Sequence, residues 1–389
     1  MRPCARPPPW VGASEAGPSD FLDNCTGSSV AAGGPRRGYA DRMTALVYED
    51  FAPGRHREAT LIRHALGSVH DEALVAGLAG GIGFMYFVFE YAGRPPMPTI
   101  VAQAHPDPWV QVALGRLNIP YEATRSAKPR WNRVEAALDA GAPVFCTVDR
   151  SGLPWHRPAP MAELAAADPY VVVVVGYDGD TYYVEDGADG AETPYAIGRE
   201  EFGAAWSGHK KGRHQMVVTT GKPAAEPDLD AAIAATVSRL TGPVLGNHFD
   251  VNFGFSGMEK FAAQLRDTTT KTGWERRFAT PEAFAVGAGR LHSCLEEEWT
   301  APGATRPLYA DFLDLAGHAE AAGLFRESGR QWSGLAELAR TADPEADAAG
   351  RRALFDACAE LVDGALALER EAVTSLPAPA EAPAEAPAG

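Results

Sequence analysis

His56, Arg57 and Glu58 open the stretch "GRHREATLIRHALGSVHDEALVAGLAGGIGFMYF" and set an imidazole, a guanidinium and a carboxylate ahead of a periodic apolar run. Ala59, Ile62, Ala65 and Leu66 recur at helical spacing and Gly67 is a natural stop, so a helix is expected over 58–66. A helix N-terminus favours negative charge through its free N–H groups and macrodipole. An arginine there holds a carboxylate, a phosphate or a developing oxyanion, or is merely solvated. His56 and Glu58 either line the same pocket or serve the helix start, Glu58 as a first-turn charge.

Further along, "GLPWHRPAP" offers Trp155 as a binding surface and His156 as a proton-moving base, with a surface loop histidine as the plain alternative. "YVVVVVGYDGDTYYVED" carries Tyr170 at one end and Asp186 at the other. Tyr170 is a phenolic acid or a packed strand tyrosine, and Asp186 an orienting group or a general base. In "CLEEEWTAPGATRPLYADF", Glu298 and Trp299 suit an amine through charge and cation–π contact, although a charge run is also what a solvated face looks like. Cys146 sits inside the apolar "APVFCTVD", where a buried inert thiol is the first reading and a nucleophile the second.

These groups must be held by recognisable elements. A second helix is expected over 71–78, then a glycine-dense turn and an aromatic strand, a loop over 153–160, and strands over 142–149, 170–179, 181–186 and 214–220. Asp178-Gly179-Asp180 between two β-branched and aromatic runs signals a hairpin. "GLAGGIG" mimics a dinucleotide turn, but no strand precedes it, so close backbone packing explains it better. From 229 the pattern turns helical, over 229–241, 256–266, 308–322, 324–340 and 348–375, with Ser256 and Glu259 forming a capping box. The expected class is α+β followed by an all-α domain: 43–222, then 228–376 after a linker. Residues 1–42 read as a disordered extension, with Met43 as the alternative start, and 377–389 as a disordered Pro/Ala/Glu tail.

The net charge of −16 argues against a nucleic-acid partner, which needs a basic stripe. The longest apolar run, Val171 to Val175, is far too short to cross a membrane. Cys4, Cys25, Cys146, Cys294 and Cys358 have neither zinc-ligand nor disulfide-framework spacing, so no metal site or cofactor is expected and a reducing cytoplasm is.

The pieces "GRHREATLIRHAL", "DEALVAGLAGGIGFMYF", "VVVVVGYDGDTYYVED", "NFGFSGMEKFAAQL" and "TRPLYADFLDLAG" together resemble the butirosin biosynthesis protein H family and the helical domain that commonly follows it. The resemblance implies a papain-like cysteine-enzyme fold, an acyl carrier protein and a small biosynthetic intermediate as partners, and transfer of an aminoacyl group to an amine. It also places the family cysteine where this chain has Arg57 and the family histidine where it has Tyr170, while Asp186 is kept. Without thiolate and imidazole the covalent ping-pong route is closed. The expectation is therefore a tailoring enzyme that orients an intermediate for amide formation or ring closure in a cleft near the domain interface. Alternatives are a non-catalytic docking scaffold and acyl transfer through Cys146.

Overall fold

A computed structural model describes residues 46–103, 108–157, 169–187, 194–209 and 211–377. The extension over 1–42, with Met43, and the tail from 378 lie outside the described residues. The described chain packs as two compact units interleaved in sequence. The first takes 46–49, 122–157, 169–186, 194–209 and 211–218; the second takes 50–103, 108–121, 187 and 219–377. Residues 50–121, which chain order groups with the α+β segment, thus pack with the helices that follow 219.

The second unit begins with α1 (Arg57–Ala65) and α2 (Glu72–Leu78), capped by His56 and Asp71, then the hairpin of β1 (Ile82–Phe89) and β2 (Met97–Gln103), then α3 (Trp109–Arg116). Phe87 of β1 faces Thr99 of β2 in an antiparallel register. The glycines ahead of β1 are there for contact. A Cβ on Gly77 would lie 2.1 Å from the Phe312 ring, and one on Gly81, at φ +60, 2.7 Å from Thr236 Oγ1.

The first unit is built on β3 (Tyr121–Thr124), α4 (Trp131–Asp139), β4 (Val144–Val148), β5 (Tyr170–Asp178), β6 (Thr181–Glu185), β7 (Tyr195–Gly198), α5 (Arg199–Gly208) and β8 (Met216–Thr219). The strands form one sheet in the order β3-β8-β4-β5-β6-β7. Val172, Val173, Val174 and Val175 are fully buried, the composition of a strand covered on both faces. The loop expected over 153–160 is instead, as far as residue 157, a pair of 3₁₀ turns, Arg150–Gly152 and Pro154–His156. Asp149 drives the first by accepting from the Ser151 N–H at 2.9 Å.

The remaining helices are α6 (Leu229–Thr241), α7 (Gly254–Arg266), α8 (Trp274–Arg277), α9 (Pro281–Glu296), α10 (Arg306–Leu315), α11 (Ala319–Arg340) and α12 (Ala348–Val373). Two expectations are corrected here. The helix read over 308–322 is cut in two, because Gly317 at φ +86 ends α10 before α11 starts. Ser256 is no N-cap: α7 already runs from Gly254, whose own φ of +53 turns the chain into the helix, and the capping box belongs to Asn247 and Asp250 just upstream.

The second unit is pinned at its centre by Arg306. Its side chain is wholly buried and donates to both oxygens of Glu369 at 2.8 and 3.0 Å, and to the carbonyls of Gly83, Ala102 and Ala304. Ser328 and Trp332 complete the carboxylate's partners. A buried ion pair with every guanidinium nitrogen hydrogen-bonded is a structural device whose loss is costly. Among the described residues, no helix is long and apolar enough to cross a membrane.

Candidate functional site

In the first unit, one end of the sheet gathers Trp155, His156, Tyr170 and Asp186. β4 and β5 are antiparallel with Val148 opposite Tyr170, and β6 runs back beside β5 to end at Glu185. The exit of β4, the entry of β5 and the residue after β6 therefore meet at one edge. The 3₁₀ turns leaving β4 bring His156 to the same edge, fixed by Arg157 Nη2 donating to the Gly152 carbonyl at 2.7 Å. Gly152 is needed for this approach, since a Cβ there would sit 2.9 Å from Ala205 Cα.

Asp186 is the node, 1% exposed. It accepts from Tyr170 Oη–H on Oδ1 at 2.6 Å, and on Oδ2 from Trp155 Nε1–H at 2.7 Å and His156 Nε2–H at 2.9 Å. A carboxylate takes only donors, which assigns the His156 proton to Nε2 and leaves the lone pair on Nδ1. That nitrogen has no hydrogen-bond partner among the described residues, and the side chain is 21% exposed. Tyr170 Oη also lies 3.2 Å from Nε2, with its ring edge-on to the imidazole. Trp155 stacks flat on Tyr195, centroids 4.2 Å apart, and Arg150 lies over the Tyr170 ring. The result is a part-exposed imidazole held by a buried carboxylate.

In the second unit, His56, Arg57 and Glu58 stand at the head of α1. Glu72 fixes this entry by accepting from the backbone N–H of Arg55 at 2.7 Å and of His56 at 2.8 Å. His56 is fully buried, donates from Nε2 to Gln103 Oε1 at 3.0 Å, caps the helix with Nδ1 toward the Ala59 N–H at 3.4 Å, and stacks on Trp109 with centroids 4.3 Å apart. Burial holds its pKa below the usual histidine range, so the ring is neutral. Its 3.6 Å approach to Glu58 Oε2 is therefore no ion pair, and that oxygen is buried without a hydrogen-bond partner. Arg57, the first residue of α1, donates from Nη1 to Glu58 Oε1 at 3.2 Å.

Glu298 and Trp299 follow α9, where Arg290 holds Glu298 at 2.6 Å and Trp299 adopts φ +56. Their acidic neighbours are likewise occupied, Glu296 by Ser333 and Glu297 beside His292. Cys146 is 0% exposed in the middle of β4, between Val172 and Met216, and burial pushes its thiol far up; Cys358 is pushed up to about 12. Neither supplies a thiolate near neutral pH. Among the described residues no group of three metal-ligating side chains gathers. Sequence reasoning passed over Gln103, Trp109 and Tyr195. Gln103, a polar amide directly after the apolar run Ile100-Val101-Ala102 in "MPTIVAQ", was the one with a visible signal.

The fold class is α+β with a helical C-terminal region, and the polar groups collect at an edge of the α+β sheet and at a helix N-terminus. Residues 56–187 match the family model described as Butirosin biosynthesis protein H, N-terminal, and residues 206–376 match Domain of unknown function (DUF4872). The chain thus carries a butirosin H-type N-terminal domain followed by the helical domain. No curated protein matches it. Among solved structures, a chain described as a C39-like peptidase from Bacillus anthracis is similar at 16% identity and a TM-score of 0.32, over 47% of this chain and 100% of that one.

Proposed function

We propose that this protein is a tailoring enzyme of specialised-metabolite biosynthesis that orients a carrier-bound or free intermediate for amide formation or ring closure without a covalent protein intermediate. The family description, butirosin biosynthesis, supports the metabolic setting. The observation that carries the mechanism is His156, part exposed and hydrogen-bonded through Nε2 to buried Asp186.

In this reading Nδ1 takes a proton from the attacking amine or hydroxyl as its new bond to the acyl carbon forms. The imidazolium is stabilised by Asp186 and returns the proton to the leaving thiolate or alkoxide as the old bond breaks. Asp186, buried and accepting from Trp155, Tyr170 and His156, orients the ring and moves no proton itself. Tyr170 keeps the carboxylate in place from the position of the family histidine. Cys146 is left out because a buried, protonated thiol is inert.

The test is incubation with an acyl-carrier thioester and an amine acceptor, following product and intact protein mass together. Amide or cyclised product without a protein adduct is expected, with formation about 10²–10⁴-fold slower in His156→Ala. An adduct removed by Cys146→Ala would overturn the mechanism. Unchanged turnover in His156→Ala would favour a non-catalytic scaffold.

A further inference from the structure

The protein is acidic overall, at −16, yet one surface of its first unit is strongly basic. Two runs distant in sequence supply it: "TRSAKPRWNR" between β3 and α4, and the turn that leads from α5 into β8. Arg125 Nη1 donates to the Lys211 carbonyl at 2.5 Å across a separation of 86 residues, and His214 Nδ1 lies 3.1 Å from the Ser126 carbonyl across 88. The pairing of β3 with β8 fixes the two runs side by side. Ser126 Oγ donates to the Lys128 carbonyl at 2.7 Å and tightens the first run into a turn.

The surface so formed holds Arg125, Lys128, Arg130, Arg133, Lys211 and Arg213, against one acid, Glu122, which is taken by Arg133. Lys128, Arg130, Lys211 and Arg213 are exposed and make no ion pair among the described residues, unlike most arginines of the second unit. At the Pro129 end lies an open groove of about 580 Å³ lined by Trp131, Arg199 and the acids Asp180 and Glu200, with Arg199 paired to Asp180 at 2.8 Å. The basic area is therefore bounded.

We infer that this patch is the docking face for a small acidic protein that presents clustered carboxylates. Like charges left unpaired side by side weaken a fold slightly and are useful only toward an opposite charge. Screening over about 8 Å at physiological ionic strength limits the patch to a partner of its own size. A long polyanion would overhang onto the acidic remainder and be repelled, which disfavours a nucleic-acid duplex. The inference rests on the proposed function only in the choice of probe, an acyl carrier protein.

The test measures binding of the full chain to a recombinant acyl carrier protein by isothermal titration at low and physiological salt. Its controls are the same carrier with its surface glutamates changed to glutamine, and a short DNA duplex. Reversal of Lys128, Arg130, Lys211 and Arg213 to glutamate is expected to weaken binding at least about tenfold and to flatten its salt dependence. Reversal of the exposed Lys271, Arg276, Arg330 and Arg340 should leave binding unchanged. No binding of the carrier, equal binding by the patch variant, or tighter binding of the duplex than of the carrier would each overturn the inference. Because binding is read without turnover, failure here leaves the His156 mechanism standing, and failure of that mechanism leaves the docking result intact.

Discussion

In one compact unit His156 stands 2.9 Å from Asp186, and in the other His56 stands 3.6 Å from Glu58. The compositions match, but the contacts do not. Asp186 accepts from Trp155, His156 and Tyr170 and its histidine is part exposed, whereas Glu58 keeps a bare buried oxygen and its histidine is sealed beneath Trp109. A base needs a reachable lone pair and a stabilised cation. His156 keeps a nitrogen without a hydrogen-bond partner among the described residues and has a carboxylate on the other; His56 spends its lone pair on a helix cap and is kept neutral by burial. Proximity of a carboxylate to an imidazole therefore says little until the second nitrogen is accounted for.

The comparison is most sharply broken at Asp186. Asp186→Asn turns one acceptor atom into a donor facing buried donors, so turnover should fall by on the order of 10⁴ through loss of the correct tautomer. Stability should also drop by roughly 1–3 kcal/mol for the unsatisfied group. Steady-state kinetics and urea unfolding of the same preparation separate the two effects. Retained turnover would remove Asp186 from the mechanism.

The next largest effect concerns pH and belongs to His56. Its folded pKa is depressed, so the unfolded chain takes up the proton first. Its contribution to stability is thus complete above the unfolded value, near 6.5, and is lost as pH falls from there toward the folded value. The slope in that window is at most about 1.4 kcal/mol per pH unit. Unfolding free energies between pH 7 and 5 should fall less steeply in His56→Gln; an identical slope would show that His56 already titrates normally.

The smallest effect is expected at Glu58. Glu58→Gln removes a first-turn charge worth no more than about 1 kcal/mol and should leave turnover within about threefold, as kinetics with matched unfolding curves would show. A hundredfold loss would move proton handling into the second unit.

Much of this arrangement could be read from residue pattern. The hairpin turn at Asp178–Asp180 fixes the β5–β6 register, and antiparallel register places Tyr170 and Asp186 at one end. α6 was legible to the residue, because Asp228 caps it and Gly242 ends it. α4 was not, since Arg130 gives no capping hydrogen bond, and neither was the second strand, which Pro98 disguises. The engagement of His156 rests on two 3₁₀ turns set by Asp149 and Gly152, a short-range geometry with no periodicity to detect. The interleaving of the compact units depends on contacts such as Arg306 to Gly83, 223 residues apart, which no local pattern encodes.

That last contact bears on how such a chain can be cut or recombined. Arg306 lies in the segment matched by the second family model, and Gly83 and Ala102 in the segment matched by the first. A truncation or chimera joined between residues 187 and 206 would follow the gene's apparent modules, yet leave the β1–β2 hairpin without its guanidinium and two buried N–H groups of Arg306 without the carbonyls of Gly83 and Ala102. The two modules must then be inherited, exchanged and expressed together.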